Sequence, residues 1–184
     1  AVMASARVTD QQGKEQFSYW TMLPLWKDLL GTGLITRRLF KDMLNTPPYR
    51  LPNAGDEGSR LVDAVPGSFF MLKPGLLTPQ DIEGLFDSRI FLYYEEKVLG
   101  RKFQEMGLKT VLVTDESYVH AHSATIDKSL KRMVDKQRLL HQSKLYYYRE
   151  YLHAGPALMA AAGVALDIIL AEVWFLTVVF RMRW

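Results

Sequence analysis

The segment from Glu95 to Val113 leaves the least freedom to the fold. Leu99, Phe103 and Met106 recur at i, i+4 and i+7, and Gly107 is a natural terminator, so the spacing predicts one helix from Glu95 to Met106. Lys109 to Val113 then changes period, with Val111 and Val113 on one face of a strand. A turn is expected at Asp115-Glu116-Ser117, and a second short extended piece at Tyr118-Val119-His120. A helix handing over to strands in this way makes the chain mixed α/β.

The flanking segments fit that class. Ala1 to Thr9 reads as a strand entered midway, followed by a polar turn at Asp10-Gln11-Gln12-Gly13; with no initiating Met, the expectation is that the amino half of a larger protein is missing. From Phe17 to Leu44 apolar residues recur at helical spacing around Pro24, Gly31 and Gly33, which predicts two short helices docked on the core or on a membrane surface. Thr46 to Ser59 is a Pro- and Gly-containing loop, either an acceptor-side lid or a variable insertion. Leu61–Val65 and Ser68–Leu72 look like strand segments bent at Pro66-Gly67. Thr78-Pro79-Gln80-Asp81 has the cap, the first-turn proline and the acid of a capping box, so a helix starts there and ends near Leu85. After Ser123 the chain turns helical, from about Ile126 to Leu152 and again from Pro156 to Phe180. The expected division is residues 1–125, the mixed α/β part, and residues 126–184, basic and apolar helices.

A chain of 184 residues, 48% hydrophobic and 23% charged, is globular rather than disordered. The absence of cysteine excludes disulfides and thiolate zinc sites, leaving His, Asp and Glu as the strong metal ligands. A net charge of +3 does not call for nucleic acid, and no nucleic-acid partner is expected. No Gly-rich phosphate loop ending in Lys-Ser/Thr, no complete dinucleotide fingerprint, no GxSxG and no HExxH occurs.

Two pairs of residues could carry chemistry. Glu95 and Glu96 are adjacent, so on a helix they point about 100° apart and must play different roles. Glu95 shares its face with Leu99 and is expected to point inward as a structural residue. Glu96 shares its face with Gly100 and is expected to be ionised and accessible at the helix N-terminus, as a general base for a hydroxyl requires. Two acids at a helix start also simply complement the dipole. His120 and His122 alternate, so on a strand both imidazoles face one side and could share a metal or an anion, although an isolated His-x-His is a modest signal. Ser123, Thr125 and Lys128 follow, a setting suited to phosphate oxygens.

The Ile126–Leu152 helix carries Lys128, Lys131, Arg132, Lys136, Arg138, Lys144 and Arg149 with Tyr146-Tyr147-Tyr148, which reads either as a solvated face or as one attracted to an anionic membrane. Asp167 and Glu172 interrupt the apolar run from Pro156. Each costs about 2.5 kcal/mol or more near a bilayer centre, so a spanning helix is disfavoured in favour of a peripheral or partner-packed one ending in Arg181, Arg183 and Trp184. The two acids lie about 140° apart on the wheel, which is expected to spoil a clean amphipathic face.

Four stretches in order, Asp63-Ala64-Val65-Pro66-Gly67-Ser68-Phe69-Phe70-Met71-Leu72, Phe86-Asp87-Ser88-Arg89-Ile90-Phe91-Leu92-Tyr93-Tyr94-Glu95-Glu96, Gly107-Leu108-Lys109-Thr110 and Val119-His120-Ala121-His122-Ser123, resemble family 2 glycosyltransferases of bacterial polysaccharide biosynthesis, including the rhamnosyltransferase-like branch. The resemblance covers the carboxyl-terminal part of that family's GT-A (Rossmann-like) fold, followed here by C-terminal helices. It implies metal-dependent, inverting transfer of a sugar from a nucleoside diphosphate sugar to a glycan or lipid-linked acceptor. Glu96 takes the place of the catalytic base, a Glu where the family has Asp. His122, with His120 beside it, takes the place of the histidine near metal and diphosphate, and Gly67, Ser68 and Glu95 fall to the sugar and acceptor pocket. A divalent cation, Mg or Mn, would be held largely through a DxD motif, and none occurs in these residues. The chain alone is therefore expected not to bind a sugar nucleotide usefully. A cytoplasmic, peripheral location at the inner membrane face follows from the same likeness. The competing expectations are a non-catalytic module that binds a membrane or partner, and a metal-dependent hydrolase using His120 and His122.

Overall fold

The computed structural model describes residues 1–40, 58–90, 92–120 and 132–180. These fall into two compact units. Residues 1–22, 58–90 and 95–120 form a mixed α/β unit, and residues 23–40, 92–94 and 132–180 form a helical one. The expected boundary at 125/126, the Thr46–Glu57 part of the predicted loop, and Ser123, Thr125 and Lys128 lie outside the described residues.

The α/β unit is built on a four-stranded mixed sheet of β1 (Met3–Thr9), β2 (Ser59–Val62), β3 (Met71–Leu72) and β4 (Thr110–Val119) in the order β2-β4-β1-β3. β1 and β4 run parallel at the centre; β2 and β3 are antiparallel edges. The two segments expected to be one bent strand pair therefore lie on opposite edges, because the chain crosses the sheet between Val62 and Met71. β4 is one strand of ten residues, not two pieces around a turn. The acids that read as a turn sit where the pairing with β1 slips: Ala6 faces Val113, but Arg7 faces Ser117. An irregularity of this kind holds surplus residues inside a continuous strand.

Local signals decide the remaining elements. After β1, the Asp10 carboxylate accepts the Gln12 and Lys14 N–H groups, and Gly13 takes φ +76°, so the expected turn forms. Helix α3 (Pro79–Glu83) opens with the predicted capping box: the Asp81 N–H donates to Thr78 Oγ1, and the Thr78 N–H donates to the Asp81 carboxylate. Lys102 closes the end of this segment by donating to the Gly84 and Leu85 carbonyls. Helix α4 (Glu95–Glu105) buries Val98, Leu99 and Phe103. Leu99 and Phe103 join Val2, Met3, Val65, Leu85 and Leu112 in the core of this unit.

The helical unit holds α1 (Leu25–Leu30), α2 (Leu34–Leu39), α5 (Met133–Glu150) and α6 (Pro156–Trp174), the last continuing through a π-helical turn at Phe175–Val179. Both short helices fall where Pro24, Gly31 and Gly33 allow. Helix α6 buries Ala162, Leu166, Ile169 and Val173, one stripe, and packs on α5. Lys144, which reads as surface charge, is buried: its ammonium donates 2.8 Å to the Asp28 carboxylate, and the hydroxyls of Tyr94 and Tyr148 donate to the same oxygen. Tyr147 is buried as well. The reading of Lys144 and this tyrosine run as a membrane-facing face is therefore corrected for Lys144, Tyr147 and Tyr148.

Candidate functional site

In parallel α/β pairs the helix before a strand starts where that strand ends, so the first turn of α4 faces the carboxyl end of β4. Glu96 stands in that first turn. Its Oε1 accepts the Gly67 N–H at 3.2 Å, and a Cβ on Gly67 would come within 3.2 Å of that oxygen, so the missing side chain is what admits the carboxylate. Beside it, Ser68 Oγ and the Tyr118 hydroxyl share a hydrogen bond of 2.7 Å, and Phe69 packs against the Tyr118 ring at 5.1 Å. Ser5 of β1 donates to the Phe69 carbonyl and steadies this loop. Of the predicted site residues, the structure thus brings together Glu96, Gly67 and Ser68.

The electrostatics differ from the expectation for Glu96. It is partly buried rather than fully accessible, and burial, followed by the neighbouring Glu95 charge, raises its pKa from about 4.5 to about 7. The Gly67 N–H and Lys97 pull the other way without prevailing. Gly100, expected to leave open space, is packed instead: a Cβ there would meet the Asp63 carbonyl, Met22 Cε at 2.7 Å and the Ala64 methyl at 3.0 Å. Glu95 is exposed rather than inward. It lines a separate cavity of about 310 Å³ with Leu85, Phe86, Asp87, Ser88, Ile90 and Val98, and partial burial raises its pKa too. Gly67 and Ser68 are not among the residues around that cavity.

No family model, curated protein or solved structure matches this chain.

Tyr118 is the residue that sequence reasoning missed. Burial raises its pKa, hydrogen bonds to Ser68 and Ser5 oppose that, and the Glu96 charge reinforces it. Its position one residue before the end of a strand, two before His120, was the available signal. His120 follows β4, with its N–H donating to the Thr9 carbonyl at 2.9 Å; His122 lies outside the described residues. Among the described residues no group of three or more His, Asp and Glu could hold a metal ion.

The arrangement can move a proton. A carboxylate raised to about neutrality, at the carboxyl edge of parallel strands where α/β folds gather ligands, is placed to accept or hold a proton. The Ser68–Tyr118 pair beside it supplies a donor and an acceptor for a polar ligand.

Proposed function

We propose that the chain carries the acceptor side and catalytic base of an inverting, GT-A-type glycosyltransferase of bacterial polysaccharide synthesis. Its donor would be a nucleoside diphosphate sugar and its acceptor a glycan or lipid-linked sugar. The observation that supports this best is Glu96: a carboxylate with pKa of about 7, seated against the Gly67 amide and next to the Ser68–Tyr118 pair. In the proposed step the Glu96 carboxylate takes the acceptor hydroxyl's proton while that oxygen bonds to the anomeric carbon. The carbon–oxygen bond to the diphosphate breaks on the opposite face, and the nucleoside diphosphate leaves with the electron pair. Ser68 and Tyr118 orient the acceptor through hydrogen bonds.

Among the described residues no group of three His, Asp or Glu could hold the divalent cation that the family resemblance implies. The proposed step therefore rests on Glu96.

Transfer assayed in the full-length protein over a panel of nucleoside diphosphate sugars tests this reading. Glu96→Gln is expected to abolish transfer and leave donor binding intact; transfer near the wild-type rate would remove Glu96 from the role. The competing reading, a non-catalytic module, draws support from the exposed apolar face of α6. Absence of transfer by the wild-type protein with every donor would favour it.

A further inference from the structure

The helical unit carries a surface that the proposed reaction leaves unused. Opposite the buried stripe of α6, the residues Ala157, Ala160, Val164, Ile168, Ala171 and Phe175 are all exposed, Val164 by 62% and Ile168 by 66%. At 100° per residue they sweep an arc of about 80° that contains no polar side chain. Asp167 and Glu172, which in sequence break the apolar run, fall on the two margins of this arc rather than within it. The acids bracket a clean face.

Glu172 also has a partner. Its Oε1 accepts the Ile35 N–H at 2.7 Å, in the first turn of α2, which sets α2 along that margin of the stripe. Helix α2 and the residue after it expose Ile35, Leu39 and Phe40 together with Arg37 and Arg38. Beside the α6 stripe, the unit therefore exposes further apolar side chains and two guanidinium groups on α2. The segment Pro156–Val179 has 24 residues, and its most apolar 18-residue window has a mean hydropathy of 2.0, with 22% of that window buried inside the molecule. In sequence it is followed at once by Arg181, Arg183 and Trp184, residue types that favour the headgroup region.

We propose that this face of α6, with α2 beside it, docks on an anionic lipid surface, the helix lying in the plane of the membrane. A continuous exposed apolar stripe calls for an apolar partner, and the flanking arginines select negatively charged headgroups. By length and composition the helix could cross a bilayer. Crossing would strip its buried face from α5 and draw Asp167 and the Glu172–Ile35 bond into hydrocarbon, whereas in-plane docking keeps all three. Docking would hold the chain at the membrane whichever chemistry Glu96 performs.

Flotation of the full chain with vesicles of phosphatidylglycerol and phosphatidylcholine, against phosphatidylcholine alone, tests the proposal. Binding is expected with the anionic vesicles and should weaken as salt is raised. Ile168→Asp should weaken it at least about tenfold, since it removes an apolar contact and adds a like charge. Arg37→Ala should narrow the preference for anionic vesicles. In the unaltered chain, tryptophan fluorescence should be quenched by lipids brominated near the headgroup, a readout that holds even if the Asp variant fails to fold. Absence of vesicle binding, or binding that Ile168→Asp leaves unchanged, would overturn the proposal. So would quenching strongest from bromines at the bilayer centre, which would put the helix across the membrane, or a dimer dissolved by Ile168→Asp without lipid binding, which would assign the face to a second copy.

Discussion

Glu96→Gln separates the electrostatic account of the site from its shape. The amide keeps the size of the side chain and an oxygen that can accept the Gly67 N–H, but it cannot ionise. In the wild type, burial and the Glu95 charge hold Glu96 at about 7 instead of about 4.5. That difference corresponds to at most about 3 kcal/mol acting against the ionised form in the folded state. The folded chain therefore retains a proton between about pH 4.5 and about pH 7 that the unfolded chain releases, so stability falls as pH rises through that window and the loss is complete above it. Glu96→Gln has no such loss. The variant should match the wild type near pH 4.5 and exceed it by up to about 3 kcal/mol near pH 8. Urea unfolding followed by circular dichroism across this range measures the difference, and carboxyl carbon shifts in the native chain locate the titration directly. Glu95→Gln should lower the Glu96 midpoint, because the like charge is removed. A stability difference that does not change with pH, or a Glu96 carbon that titrates near 4.5, would refute the reasoning. If Glu96 is the base of the proposed transfer, the rate should rise with pH through about 7 and level off above, since a base works only when deprotonated.

Lys144→Met takes the cation away from the buried Asp28 carboxylate and should cost about 3–5 kcal/mol in denaturant unfolding, while the double change with Asp28→Leu should recover most of the loss. Gly100→Ala should cost about 1–3 kcal/mol, because its methyl meets the Asp63 carbonyl and Met22. Burial, followed by the Lys144 cation, holds His141 down at about 4, against the opposing pull of the Asp167 carboxylate. Its imidazole should stay neutral in NMR titrations until near that pH, and its contribution to stability should be lost as pH falls from about 6.5 towards 4, where the unfolded chain binds the extra proton. Thr78→Ala removes the side-chain cap of α3 and should lower thermal stability by about 1 kcal/mol.

Much of the secondary structure was legible because its signals are local. The capping box at Thr78, the Asp10–Gly13 turn, the two short helices around Gly31 and Gly33, and the α4-to-β4 handover each rest on residues a few positions apart. Strand pairing was not legible. Nothing near Pro66-Gly67 says that the segments on either side belong to opposite edges, because the pairings that decide it, Leu61 with Val111 and Leu72 with Met3, span 50 residues or more. The polar run Asp115-Glu116-Ser117 looks like a turn on composition. It stays in the strand because β1 takes up the register slip and pairs again beyond it, Arg7 with Ser117 and Thr9 with Val119.

The site shows where helical periodicity stops being informative. Residues 95 and 96 diverge by about 100° on any helix, but which one faces the protein depends on where the Gly67 loop passes, and that loop is 29 residues away. Sharing a face with Leu99 suggests an inward Glu95, yet the loop of Phe86 to Ile90 leaves a cavity there, and Glu95 opens into it. Gly100 likewise reads as space in a sequence and proves to be a contact, because a glycine marks close approach as readily as a gap. Lys144 carries the same lesson. Its neighbours in sequence are basic and aromatic, but the carboxylate that neutralises it lies 116 residues away on a six-residue helix. Charges read from one helix count as surface until the opposite charge is found. For α6 the correction runs the other way: Asp167 and Glu172 look like interruptions in sequence, and once the buried stripe fixes the rotation of the helix they become the margins of an uninterrupted face.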